Sequence, residues 1–120
     1  VLTQGELLAA RQDVLGLHLS EPLEEYIVQI VLATRQADRY GDDLTGVLQY
    51  GASPRATIAL DRCARAHAWL AGRDYVTPED VQSVAHDVLR HRILMSFEAE
   101  AAGRNPDEIV DMLVARIGVP

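Results

Sequence analysis

The chain contains no lysine, and its eleven arginines are outnumbered by eighteen acids, for a formal charge of −7. A nucleic-acid binder needs a basic face to meet phosphates, and none is evident, so DNA and RNA are not expected partners. Cysteine is nearly absent too. Cys63 stands alone, so no internal disulfide can form, and its place in an apolar helical pattern predicts a small buried hydrophobe. That cysteine usage suits an intracellular protein, and a cytoplasmic location is expected. No apolar run approaches the length that crosses a bilayer, and Val1-Leu2-Thr3-Gln4 opens no basic-then-hydrophobic signal, so no membrane partner is expected. Aromatic residues are scarce, with one phenylalanine and one tryptophan, and β-branched residues rarely alternate with polar ones. Both facts argue against sheet.

What is present is helical periodicity. With 120 residues, 48% of them apolar, the chain can bury one core, and residues 1–120 are expected to form a single domain. It begins without methionine and passes quickly into a helical pattern, which suggests a piece of a longer protein. The expected architecture is all-α, a small bundle of about five helices with essentially no sheet. The first helix fits Thr3 to Val14, with Thr3 and Glu6 as a capping box and Gly16 as its stop. The second is capped by Ser20, carries Pro22 in its first turn and runs to about Arg39. Leu23, Tyr26, Ile27, Ile30, Thr34 and Ala37 form its stripe, widened by Val28, Val31 and Leu32. Residues Tyr40 to Tyr50 have loop composition and read as a surface excursion. A third helix opens at Ser53-Pro54 and reaches about Ala71, with Ala59, Leu60, Cys63, Ala66 and Leu70 inward and Gly72 beyond its end. A fourth opens at Thr77-Pro78 with Val81, Val84, Ala85 and Val88 inward, and its pattern continues through Leu89 to Met95, with room for a bend. The last opens at Asn105-Pro106, buries Ile109, Met112, Leu113 and Ile117, and ends at Gly118 and Pro120.

The segment most able to carry chemistry is Gly51-Ala52-Ser53-Pro54-Arg55. Arg55 is expected in the first turn of a helix, where free amides and the macrodipole already make the local potential positive. A cation placed there makes sense if an anion approaches, because helix N-termini bind phosphates and a guanidinium forks onto phosphate oxygens. An ordinary helix start with a solvated arginine explains the same residues. No Gly-rich phosphate loop ending in Lys-Ser or Lys-Thr is present, so these residues alone cannot hydrolyse a nucleotide.

Other clusters carry less. His86-Asp87, with His67 and either Asp107 or Asp111, superficially echoes the metal-dependent HD phosphohydrolases, but adjacent helical residues point about 100° apart and the other partners stand in no recognisable helical context, so the ordinary helical reading is stronger. No metal site is expected. His67 reads as a partly buried helix histidine and His18 as a linker residue, while His91 lies on a different face from His86. Glu24-Glu25, Glu98 and Glu100 suit solvated helix starts better than acid–base pairs. Asp61 and Arg65, four apart beside Arg62, form a charged surface pattern. Tyr26 could border an adenine pocket, although its place on the apolar stripe favours the core.

The Gly51 to Arg55 segment resembles the sensor-2 turn of the MoxR branch of AAA+ ATPases, in which a lid arginine contacts the nucleotide's terminal phosphate. Tyr26-Ile27 followed by Thr34-Arg35 resembles the first long lid helix of that branch. Gly72-Arg73-Asp74-Tyr75-Val76-Thr77-Pro78-Glu79-Asp80-Val81 resembles its most recognisable later stretch, and Leu89-Arg90-His91-Arg92 fits the segment after that stretch. The likeness spans roughly Ser20 to Ile93. It departs from the family at Ala85-His86-Asp87, where relatives often carry proline, and in a longer loop between Arg39 and Gly51.

The resemblance implies an AAA+ lid-like bundle whose Arg55 reaches ATP held with Mg²⁺ on a core outside these residues. Gly51, Ser53 and Pro54 would shape the turn beside the nucleotide. ATP hydrolysis would belong to the full-length protein, with neither activity nor bound cofactor expected of residues 1–120 alone. The implied partners are the protein's own AAA+ core, neighbouring subunits in a ring, commonly a hexamer, and client or von Willebrand factor A domain proteins that are remodelled or activated in a chaperone-like way. A reading of a different class is a freestanding acidic helical interaction module that presents an apolar groove and has no nucleotide role.

Overall fold

Capping residues set where the helices begin in the computed structural model, which describes all 120 residues. Helix α1 (Gln4–Leu15) opens on the Thr3–Glu6 capping box and closes at Gly16. Helix α2 (Glu21–Arg35) opens where the Ser20 hydroxyl accepts from the Leu23 amide. Helix α3 spans Ala56–Leu70 and helix α4 spans Pro78–Leu89. A short α5 (Phe97–Ala101) comes next, and α6 (Pro106–Arg116) starts at Asn105, whose side-chain oxygen accepts from the Glu108 amide at 2.9 Å. Two 3-10 turns, Ala37–Tyr40 and Asp42–Leu44, and two short strands, β1 (Leu48–Tyr50) and β2 (Leu94–Met95), complete the chain. No helix is long and apolar enough to cross a membrane.

One hydrophobic core draws on every helix except α1. Helix α3 packs most extensively against α4. Its buried row is Ala56, Leu60, Ala64 and Ala68, spaced four apart, so mostly methyl groups meet Val81, Ala85 and Leu89 of α4 and the two backbones can approach closely. Tyr26, Ile30 and Val31 of α2 and Ile109, Val110 and Leu113 of α6 fill the rest of the centre. Tyr26 is 1% exposed, a core residue rather than a pocket wall, and its hydroxyl accepts from the Gln82 side chain at 3.1 Å.

Several boundaries and faces differ from expectation. Helix α2 stops at Arg35, because Gln36 takes a non-helical conformation (φ −139°, ψ 45°). The apolar period persists to Ala37 only because the following 3-10 turn still delivers that residue to the core. Val28 and Leu32 are exposed, so the stripe of α2 is narrower than its apolar content suggests. On α3, Cys63 is exposed rather than buried, and so is Leu70, which lines an open groove beside α1. Helix α4 ends at Leu89 instead of bending on to Met95, since Leu94 and Met95 leave to pair with β1. Ile93 and Met95 look helical in pattern because both are still buried.

The Tyr40 to Tyr50 segment is not a loose excursion. Leu44 and Val47 are buried, and Arg116 of α6 forks onto the Asp43 carboxylate at 2.7 and 2.8 Å while also donating to the Tyr40 carbonyl. The all-α bundle of about five helices is thus found as six, one of them the short α5, and the small antiparallel pairing of β1 with β2, Leu48 opposite Met95 and Tyr50 opposite Leu94, holds the chain just before Gly51.

Candidate functional site

The turn from Gly51 to Arg55 is bolted to the end of α2. A β-carbon on Gly51 would sit 2.3 Å from the Thr34 carbonyl oxygen, so only glycine allows the two backbones to touch. The next residue, fully buried Ala52, donates its amide to the Thr34 hydroxyl at 2.8 Å and accepts from the Arg35 guanidinium at 3.3 Å. Both backbone polar groups of Ala52 thus end on two consecutive residues of α2. The Thr34 hydroxyl, itself buried, donates its own proton to the Val31 carbonyl at 2.6 Å. Thr34-Arg35 and Gly51-Ala52, separate in the sequence, form one contact.

Beyond Ala52 the chain turns into α3. The Ser53 hydroxyl accepts from the Arg55 amide at 3.1 Å, and the carbonyls of Ser53, Pro54 and Arg55 accept from the amides of Ala56, Thr57 and Ile58 at 2.8, 3.1 and 3.1 Å. Arg55 is accordingly the residue that precedes the helix, in αR geometry, and not part of its first turn. The first amides of α3 are already engaged by these tight bonds. An incoming anion would meet the guanidinium more than free backbone donors. That guanidinium is exposed and makes no hydrogen bond or ion pair within the chain, a state it shares with Arg11, Arg39 and Arg62.

The stretch from Gly72 to Val81 builds a buried ionic clamp. Gly72, with φ +80°, ends α3 in the left-handed conformation that lets the Arg73 amide reach back to the Ala68 carbonyl. Arg73 then forks onto Asp80 at 2.6 and 2.7 Å. The same carboxylate accepts from the Thr77 amide at 2.7 Å, from the Thr77 hydroxyl at 3.0 Å and from His67 Nδ1 at 2.6 Å. Burial opposes charging Asp80, which is 0% exposed, but the donors from Arg73, Thr77 and His67 outweigh it and hold the carboxyl well below the usual range. The clamp locks α3 to α4. Sequence reading missed it, although an acid three residues into a helix, seven after an arginine, was the available signal.

The remaining candidates fall apart as sites. His86 bonds Asp111 on α6, Arg90 forks onto Asp107, and no three His, Cys, Asp or Glu side chains converge as a metal-binding group. Asp61 and Arg65 pair as their spacing implied, and Arg65 also donates to the carbonyls of Leu15 and Leu17, pinning the end of α1. Between α1 and α3 runs an open apolar groove of about 470 Å³, lined by Leu7, Leu8, Leu15, Ala66, Trp69 and Leu70 among others, whose only charged liners are Arg11 and Arg62.

A small helical bundle of this form has counterparts among known proteins. Residues 46–113 match the AAA lid domain family. Over its whole length the chain is 34% identical to the chaperone MoxR1 of Mycobacterium tuberculosis, of which it covers 32%. It is 37% identical over 112 residues to the MoxR protein of Paracoccus denitrificans, a match covering 88% of this chain and 33% of that one. A crystal structure from Cytophaga hutchinsonii, assigned as an ATPase, superposes on 97% of this chain and 36% of its own, with a TM-score of 0.92 and 39% identity. The chain belongs to the AAA lid domain family, in the MoxR branch of the AAA+ ATPases. It spans about a third of the length of these relatives.

Proposed function

We propose that this chain is the lid of a longer MoxR-type ATPase and that Arg55 is its sensor-2 arginine, reaching the γ-phosphate of ATP bound on the core. The observation that carries the reading is an exposed guanidinium with no partner in the chain, on a turn whose position α2 fixes. A planar guanidinium suits phosphate oxygens better than a lysine would, and a preset donor stabilises charge as it develops. ATP with its Mg²⁺ supplies the scissile phosphate and the metal. This chain supplies Arg55, with Gly51, Ser53 and Pro54 holding the turn that presents it.

Lid rotation would then follow nucleotide state, and in a ring of subunits, commonly six, that motion would remodel or activate client proteins in the chaperone-like manner named for the mycobacterial relative. Proteins with von Willebrand factor A domains are one proposed client class, and the cytoplasm is the proposed location. The open groove between α1 and α3 fits a surface that meets another body, the core under this reading. The same groove favours a second reading, a freestanding interaction module with no nucleotide role.

Arginine-selective dicarbonyl labelling of the full-length protein, read by mass spectrometry, separates the two. A non-hydrolysable ATP analogue should protect Arg55 while leaving Arg39, exposed and unpaired on the 3-10 turn after α2, reactive. Equal labelling of Arg55 with and without nucleotide would overturn the sensor assignment.

A further inference from the structure

We propose that Thr34 is a positioning residue for Arg55, its hydroxyl setting where the guanidinium stands relative to α2; this rests on the sensor reading above. A threonine on the buried stripe of a helix has a hydroxyl that must find partners, and this one has two. It donates to Val31 and accepts from Ala52, the residue three before Arg55. Of the possible routes from α2 to the arginine, this is the buried one. Thr34 is 2% exposed and Ala52 0%, whereas the Arg35 guanidinium reaches the same residue from the surface.

Little slack remains between Ala52 and Arg55. Pro54 has a fixed φ, the Ser53 hydroxyl holds the Arg55 amide, and the Ser53 carbonyl holds that of Ala56. On the other side, Gly51 lies against the Thr34 backbone with no room for a β-carbon. The end of α2 and the base of Arg55 therefore move as one body. Without the hydroxyl, the buried Ala52 amide has no acceptor, and it regains one only if the turn lifts towards water. Arg55 would lift with it. The hydroxyl is thus a contact that a valine of the same shape cannot replace.

The test compares Thr34→Val, Thr34→Ser and Arg55→Ala in the full-length ATPase, alone and combined, by steady-state ATP hydrolysis corrected for the folded fraction. Thr34→Val should lower kcat by about ten- to a hundred-fold, since misplacement of about 1 Å costs that order, with KM for ATP changed much less. Thr34→Ser, which restores the hydroxyl, should recover most of the loss. In the Arg55→Ala background, Thr34→Val should cause no further fall, because there is no guanidinium left to misplace. Where Thr34→Val folds poorly, Arg35→Gln removes the second bond to Ala52 from the exposed side and should show the same pattern more weakly. If Arg55→Ala hydrolyses ATP at the wild-type rate, the sensor reading fails and this inference with it. If Arg55→Ala is impaired but Thr34→Val keeps wild-type kcat, or multiplies the loss in the double variant, Thr34 is only structural and the inference alone is overturned.

Discussion

Replacing Arg55 with alanine should leave the isolated chain about as stable as before, within roughly 0.5 kcal/mol by urea or thermal unfolding, because the side chain is exposed and pairs with nothing. Removing a cation from the start of α3 even relieves a small unfavourable interaction with the helix dipole. Asp80 is the opposite case. Asp80→Ala strips the acceptor from Arg73, Thr77 and His67 at a buried position and should cost about 2–4 kcal/mol, near the lower end because Arg73 can turn to water. Its pH dependence comes from the depressed carboxyl. The folded state holds Asp80 ionised at pH values where the unfolded chain binds a proton, so its contribution is complete above about pH 4 and is lost as pH falls towards the folded value. Asp43 beside Arg116 and Asp107 beside Arg90 are lowered too, each first of all by the hydrogen bond from its arginine, and act with the same sign. Acid unfolding of the parent chain should therefore steepen below about pH 4, and Asp80→Ala should flatten that slope. Arg55 could be singled out in the sequence because glycine, proline and arginine stand together there, but its proposed role came from the family likeness and not from their spacing. Asp80 could not be weighed there, because an acid in a first helical turn usually faces water, and only the fold brings His67 and Arg73 to it.

At the scale of elements, helix starts were readable except that of α3, which opens at Ala56 and not at Ser53-Pro54. The buried faces of α2, α4 and α6 were readable in the main, while that of α3 was not. Ser20-Glu21-Pro22, Thr77-Pro78 and Asn105-Pro106 open α2, α4 and α6 as expected, since capping is decided within one turn of chain. The end of α4 was hidden because Ile93 and Met95 are buried in either conformation, and what removes them from the helix is pairing with β1, some forty residues earlier. On α3, two apolar rows competed, and the row of small residues won the deeper position because methyl groups let α4 come close. Cys63 lies off that row, and a thiol reagent should modify it in the native chain without prior unfolding. Helix α1 places no residue in the core and depends on one partly covered apolar side and on Arg65 at its end. Amide hydrogen exchange should accordingly be fastest in α1 among the long helices and slowest in α3 and α4, and Arg65→Ala should speed exchange at residues 12–17. Gly51→Ala should destabilise the chain by about 1–3 kcal/mol, because its new methyl group meets the backbone of α2 rather than a movable side chain.

For the molecule as a whole, the division of labour is between a clamp that keeps α3 and α4 together, an α2 whose end fixes the Gly51 to Arg55 turn, and an open groove beside α1. Each surface feature makes sense for a body that meets another: a cation without a partner, exposed Val28, Leu32 and Ile58, and apolar side chains of α1 and α3. The direct measurement is ATP turnover by the full-length protein carrying Arg55→Ala, beside Arg39→Ala as another exposed and unpaired arginine, on the 3-10 turn after α2. Arg55→Ala should lower kcat by about a hundred- to a thousand-fold, the usual loss when a preset charge stabiliser is removed, while Arg39→Ala stays within about twofold of wild type. Wild-type turnover by Arg55→Ala, or equal losses in the two variants, would contradict the account.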